Sequence, residues 1–288
     1  MGRSRTRIIA ATVALSLILS IGLFGCTKTV TKTETKPAAT NLILATTTST
    51  ADTGLLDYLL PMFEKKYNVK VKPIAVGTGE AIAMGQRGEA DVLLVHSRTN
   101  EDKFMAEGYG SIRKDVMYND FVLIGPKSDP AKAKGQGPAK AFAAIAAAQA
   151  NFVSRGDNSG THNKEKSIWT KAAVTPAGAW YIVTGQGMGE STKIAEEKQA
   201  YILIDRGTYL ALKKTLTLEI IVEGQKELFN PYGVIVVNKA KFSKVNEVDA
   251  KKFVDWITSA DVQKLIGEFG VKKYGQALFT PSAATGNP

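Results

Sequence analysis

The chain is 288 residues long, with 37 lysines and arginines against 27 aspartates and glutamates, a formal net charge of +10. Its 44% hydrophobic and 22% charged residues are ordinary globular usage, which excludes a disordered tail, a collagen-like rod and a multi-span membrane protein. One cysteine excludes an internal disulfide framework and a cysteine-based zinc site, while the charge excess points to nucleic acid, an anionic membrane or an anionic ligand until it is located along the chain.

Residues 1–7 carry Arg3, Arg5 and Arg7 and lead into the apolar run 8–24, interrupted only by Thr12, Ser16 and Ser20. A basic start followed by an apolar centre describes a secretory signal peptide over residues 1–25. The run ends in Leu23-Phe24-Gly25-Cys26, which resembles the bacterial lipobox, with Phe24 where a small residue is usual. That resemblance implies a lipid on Cys26, hence an exported protein anchored at the membrane. The competing readings are a single transmembrane anchor with an incidental cysteine and an N-myristoylation pattern on Gly2 and Thr6. The tract TKTVTKTETKPAAT has no apolar period, so residues 26–40 read as a disordered tether. Half of the net charge lies in these first 40 residues, leaving 31 basic against 26 acidic residues beyond them. No basic block with interleaved aromatics occurs there, and a nucleic-acid partner is not expected.

From residue 41 onward, short apolar runs alternate with helical spacing, which predicts a parallel sheet with covering helices. Strands are expected at 42–45, 69–76, 91–95 and 120–124, with helices at 55–67, 80–87 and 101–107. A second set follows: helices at 139–150, 164–171, 194–199 and 208–212, and strands at 151–153, 201–204, 218–222 and 234–237. Two closing helices carry Phe253, Trp256 and Ile257, then Val262, Leu265, Ile266 and Phe269. The economical architecture is two α/β lobes with a cleft between them. Lobe I would comprise residues 41–122 and 234–288, and lobe II residues 123–233. Two crossover strands would form the hinge near 118–125 and 230–238.

Two clusters carry the chemistry. Thr46-Thr47-Thr48-Ser49-Thr50 follows a strand and precedes a helix, with Thr50 or Asp52 as the expected N-cap. Ser154-Arg155-Gly156-Asp157-Asn158-Ser159-Gly160-Thr161-His162 has the same placement in the second half. Each brings hydroxyls to the positive end of a helix dipole, which favours an anion, and Arg155 adds a planar fork suited to an oxoanion. Thr78, within Gly77-Thr78-Gly79, and Ser97, within His96-Ser97-Arg98, occupy equivalent loops. Ligands in open α/β sheets bind beyond the carboxyl ends of strands, where all four loops fall. Arg98 reads as a surface charge. Tyr201 and Asp205 form a fifth candidate, for which core packing and helix capping are equally good explanations.

Enzymatic readings find little support. Residues 156–160 are not a nucleophile elbow, and His96 and His162 show no metal-ligand spacing, so no metal site and no catalytic residue are expected. His162 reads as a polar contact. Residues 185–189 miss the dinucleotide fingerprint and read as a flexible loop. An exported hydrolase using Ser159 and His162 remains as a distant alternative, though it has no defined third member. A sensor or adhesion lipoprotein remains as well.

With TTTST after the first strand, VHSR after the third, SRGDNSGTH opening the second lobe and IDRGTYL later, the chain resembles the tungstate-binding proteins of bacterial ABC-type uptake systems from about residue 41 to the C-terminus. The resemblance implies a periplasmic-binding-protein fold of the second type, closing over an oxoanion and docking to a membrane permease. It implies oxoanion contacts from Thr48, Ser49, Ser97, Arg155, Ser159 and Thr161, with Thr47, Thr78 and Gly160 as further contacts. It also implies a monomer with tungstate as ligand and no cofactor; molybdate, phosphate and sulfate are the alternatives. Ile202 and Ile204 stand where more polar residues are expected, so Tyr201 and Asp205 are doubtful contacts. Tungstate is a dianion that only accepts hydrogen bonds, so a cage of donors suits it. Phosphate needs an acceptor as well. Asp157 is the acid within these loops, and its orientation decides between them: turned to the ligand it favours phosphate, capping a helix or pairing with Arg155 it favours tungstate.

Overall fold

The computed structural model describes residues 38–286, with the side chain of Ser49 excepted. The expected signal peptide and Cys26 lie outside the described residues. Thr40, expected in the tether, instead opens the first strand, and its hydroxyl donates to Asp249 (2.5 Å).

Strand β1 (Thr40–Thr47) leads through a short helix α1 (Thr48–Asp52) into α2 (Leu55–Tyr67), followed by β2 (Val69–Val76), α3 (Thr78–Gln86), β3 (Val92–Val95) and α4 (Arg98–Ala106). The pattern that predicted α2 is the face it buries: Leu55, Leu56, Leu59, Leu60 and Phe63. Phe63 meets Phe253 edge-on at 5.2 Å and Trp256 at the same distance. These aromatic contacts each add on the order of 1 kcal/mol beyond the area they bury.

Next comes β4 (Gly110–Gly125), sixteen residues long. Only its apolar second half was expected. The first half is polar and partly exposed, so it lacks the run that marks a buried strand. From there the chain forms α5 (Pro138–Ala148), β5 (Phe152–Ser154), α6 (Gly160–Lys171), β6 (Tyr181–Val183), α7 (Met188–Glu197), β7 (Tyr201–Asp205), α8 (Arg206–Leu212) and β8 (Glu219–Val222). Residues 188 and 189, expected in a flexible loop, form the first turn of α7. The return strand is β9 (Phe229–Val237), and α9 (Glu247–Ile257), α10 (Ala260–Glu268), α11 (Val271–Tyr274) and β10 (Thr280–Pro281) close the chain. Asn230-Pro231-Tyr232-Gly233 is continuous strand, as the crossover strand expected near 230–238 requires. Pro231 stands opposite Tyr118 of β4, before the stretch Gly233–Val236 that β3 pairs on the other side. A proline without an N–H is tolerated there.

The strand order is β2-β1-β3-β9-β4-β7-β5-β6, with β8 and β10 also on β4. Strands β1, β2 and β3 are parallel, as are β5, β6 and β7. β4 belongs to both halves: its residues up to Asp120 pair with β9, and Phe121–Ile124 pair with β7. The cores divide at the same place. Leu42, Phe63, Met117, Tyr232 and Phe253 belong to one apolar cluster, and Phe121, Phe142, Phe152, Trp169 and Leu203 to another. The molecule is thus two α/β lobes joined by crossing strands. Every parallel strand of either lobe ends its carboxyl side toward the junction, which is why the loops that follow β1, β2, β3, β5 and β7 meet there.

Candidate functional site

These loops enclose a cavity of about 40 Å³. At roughly 10–15 Å³ per water-sized group, that accommodates an ion of a few heavy atoms and excludes a sugar, nucleotide or peptide. Lobe I contributes Thr47, Thr48, Gly77, Thr78 and His96; lobe II contributes Arg155, Ser159, Gly160, Thr161 and Asp205; and the crossing strands contribute Asn119, Phe121, Asn230 and Tyr232.

On the lobe I side, Thr47 is the N-cap of α1. Its Oγ1 accepts from the Thr50 N–H (3.3 Å), shares a hydrogen bond with Thr50 Oγ1 (2.6 Å) and lies 3.0 Å from His96 Nε2. This corrects the expected cap: Thr50 and Asp52 lie within the helix rather than before it, because the chain turns one residue after the strand. Gly77 and Thr78 are the cap and first residue of α3, and no side chain caps that helix. Its first-turn N–H groups are therefore available to a ligand. His96 packs on Tyr232 with ring centres 4.9 Å apart. Burial holds its imidazole down at about 4, against a hydrogen bond with Asn230 and in the same direction as the charge of Lys164. It is neutral at physiological pH.

On the lobe II side, Ser159 caps α6, its Oγ accepting from the His162 N–H (3.3 Å), and Thr161 is buried in the helix's first turn. Arg155 is mostly buried and pairs with Asp157 at 2.5 Å; its Nε–H is buried with no acceptor among the described residues. A buried donor left in that state normally finds a partner in a ligand or water. The other oxygen of Asp157 accepts from the Ser159 N–H (3.1 Å). Burial raises the pKa of Asp157, but the bonds from Ser159 and the charge of Arg155 outweigh that and hold it below the usual carboxylate range. Asp157 therefore faces its own loop, and the acid that lines the cavity is Asp205. It caps α8, accepting from Thr208 N (2.8 Å) and Thr208 Oγ1 (2.7 Å). Burial pushes its pKa up in spite of those bonds and of Arg155.

Of the sequence-predicted residues, Thr47, Thr48, Thr78, Arg155, Ser159, Gly160 and Thr161 meet at the cavity. Ser49 lies in α1, its side chain outside the described residues. Ser97 does not line the cavity. Its N–H donates to Glu101 Oε1 (2.9 Å) and its hydroxyl accepts from Asn100 (3.0 Å). Glu101 is fully buried and paired with Arg113 at 2.8 Å, and this fixed acceptor holds the turn so that His96 faces inward. Arg98 pairs with Asp102 on the surface. Tyr201 is buried in the lobe II core, donating to Asp129 (2.6 Å) and accepting from Ala131 N (3.1 Å). His162 accepts from Asn158 N through Nδ1 (2.9 Å), a polar contact. Among the described residues no group of three or more His, Cys, Asp or Glu is placed to hold a metal ion.

Sequence reasoning missed His96, Asn119, Phe121, Asn230 and Tyr232. Asn230 donates to Asn119 at 2.8 Å across the crossing strands. A histidine examined only for metal spacing and two asparagines within expected crossover strands carried no signal toward this site.

A site of this design at the junction of two α/β lobes is that of a solute-binding protein. The PBP superfamily domain profile matches residues 32–261. A tungstate-binding protein TupA from Peptoclostridium acidaminophilum is 51% identical over 274 residues, 93% of this chain and 96% of the relative. Among solved structures, the TupA tungstate-binding protein of Desulfovibrio alaskensis G20 is 48% identical with a TM-score of 0.78, covering 85% of this chain and 100% of that one. A tungstate ABC transporter structure from Geobacter sulfurreducens is 51% identical with a TM-score of 0.72, covering 81% and 100%. The chain belongs to the PBP superfamily and, within it, to the TupA family.

Proposed function

We propose that the protein binds tungstate outside the cell membrane and releases it to the permease of an ABC transporter. The observation that carries this reading is the donor cage: hydroxyls of Thr47, Thr48, Thr78, Ser159 and Thr161, the open N-terminus of α3 and the guanidinium of Arg155 surround one small cavity. A tetrahedral dianion offers only acceptors, and donors are what surround it here. A protonated phosphate would need an acceptor of its own. Asp157 is turned to Arg155 and Ser159, and both oxygens of Asp205 already accept from Thr208. This arrangement supports a fully deprotonated oxoanion. The protein works by binding and release, with no bond made or broken in the ligand. We infer that it acts as a monomer carrying a lipid on Cys26, with 26–37 as tether. Among the described residues no helix is long and apolar enough to cross a membrane.

Titration calorimetry on residues 38–288, unfolded and refolded to strip bound anion, tests the reading. Tungstate is expected to bind tightly, molybdate comparably or more weakly, and sulfate and phosphate barely. Phosphate binding tighter than tungstate would refute it, and turnover of a chromogenic ester lost in Ser159→Ala would favour a hydrolase.

A further inference from the structure

Gly160, the first residue of α6, lines the cavity from lobe II, and its backbone is in an ordinary helical region. Nothing in its conformation calls for glycine. What calls for glycine lies across the cleft. A Cβ built at 160 would come 2.7 Å from His96 Cε1 and 3.4 Å from His96 Nδ1, and the third nearest atom is also of this ring. His96 is itself held from three directions in lobe I and the hinge: Nε2 lies 3.0 Å from the Thr47 hydroxyl, the ring packs on Tyr232, and it is hydrogen-bonded to Asn230. One imidazole therefore touches the α1 cap, the crossing strand β9 and the N-terminus of α6.

We propose that His96 is a positioning residue for lobe closure: its ring is the face on which the start of α6 seats, and the missing side chain at 160 lets the donors of both lobes reach one oxoanion. The inference rests on the oxoanion reading above. The seat requires an uncharged ring, since a cation there would oppose the positive end of the α6 dipole as well as Arg155 and Lys164. The lowered pKa of His96 agrees with that requirement. Closure then depends on a steric match between one residue of each lobe, set apart from the groups that hold the anion's charge.

The test is a double-mutant cycle with Gly160→Ala and His96→Asn, the latter deleting Cε1 and Nε2. Tungstate affinity is read by calorimetry, ligand-induced compaction by small-angle scattering and melting temperature without ligand by circular dichroism. Alanine suits the first turn of a helix, so Gly160→Ala is expected to melt no lower than wild type while binding roughly 50-fold more weakly, the scale of one overpacked contact, and compacting less. His96→Asn alone is expected to lose about fivefold through the Thr47 contact. Because the shortened side chain makes room, the double variant is expected within about threefold of His96→Asn alone, a coupling that independent sites do not show. Single effects that simply multiply, or a Gly160→Ala protein that binds and compacts like wild type, would overturn the proposal. Should Gly160→Ala melt early, Gly160→Ser replaces it, since serine also brings a Cβ to the ring. Wild type that ignores tungstate would overturn the oxoanion reading itself, a separate and recognisable result.

Discussion

The two walls of the cleft use different chemistry. Lobe I presents Thr47, Thr48, Thr78 and a neutral His96, without a formal charge, whereas lobe II places Arg155, Asp157 and Asp205 within or directly behind its face. The lobe II charges are largely spent on one another: Arg155 pairs with Asp157 while Asp205 lies close enough to feel the guanidinium. An anion in the cavity thus meets oriented dipoles from one side and, from the other, one guanidinium set against two carboxylates, of which Asp205 has its pKa raised by burial. Neither wall alone surrounds four oxygens. High affinity on this design is a property of the closed pair of lobes, and replacing a group on one wall tests what that wall contributes.

The largest effect is expected from the charged wall. Arg155→Ala removes the one cation that lines the cavity among the described residues and should weaken tungstate binding by roughly 1.5–3 kcal/mol, the scale of a charge-assisted hydrogen bond. Calorimetry measures it directly. An unchanged affinity would mean that the guanidinium serves only Asp157, and the asymmetry between the walls would vanish. Next comes the neutral wall. His96 titrates near 4 in the folded protein against an ordinary value of 6.5, so the unfolded chain binds a proton between these values that the folded chain refuses. Stability associated with neutral His96 is present above pH 6.5 and is lost as pH falls toward 4, an effect on the order of 3 kcal/mol. Melting curves from pH 7 to pH 4.5 should therefore fall more steeply for wild type than for His96→Asn. His162 is shifted in the same direction but is common to both proteins. Equal slopes would place a protonated, charged ring on the lobe I wall.

Much of this asymmetry was legible in the sequence. The Thr47–Thr48 and Arg155–Thr161 segments are contiguous strand-loop-helix pieces, so their donors were visible from local order alone. Ser97 was misplaced because the direction of a turn residue depends on an acceptor, Glu101, that only folding buries beside Arg113. Asp205 was left doubtful and Asp157 unoriented because both questions turn on which neighbour reaches each carboxylate first. The floor of the site was legible as two crossing strands but not as a set of contacts. Asn119 and Asn230 are 111 residues apart and meet only through the register of β4 and β9, which no local pattern specifies.

Smaller substitutions sharpen the same comparison. Thr161→Val keeps shape while removing one buried hydroxyl, and is expected to weaken tungstate binding by about 1 kcal/mol, near the worth of a single neutral hydrogen bond. If it costs as much as Arg155→Ala, charge has no special place in lobe II.

The smallest expected effect is that of salt. Surface charges interact through solvent that screens them over about 10 Å at 0.1 M ionic strength, and binding driven by a net positive surface weakens steeply as salt is added. Here Arg155 is mostly buried and already paired at 2.5 Å, and the remaining donors are hydroxyls and helix N–H groups whose dipoles are fixed by the fold. Screening acts little on such groups at contact distance. The tungstate dissociation constant should therefore change by less than about twofold between 50 and 500 mM sodium chloride, with any change residing in the association rate, where long-range steering acts. A tenfold loss of affinity would show that the anion responds to the overall excess of basic residues in the chain rather than to the fixed donors of the cleft.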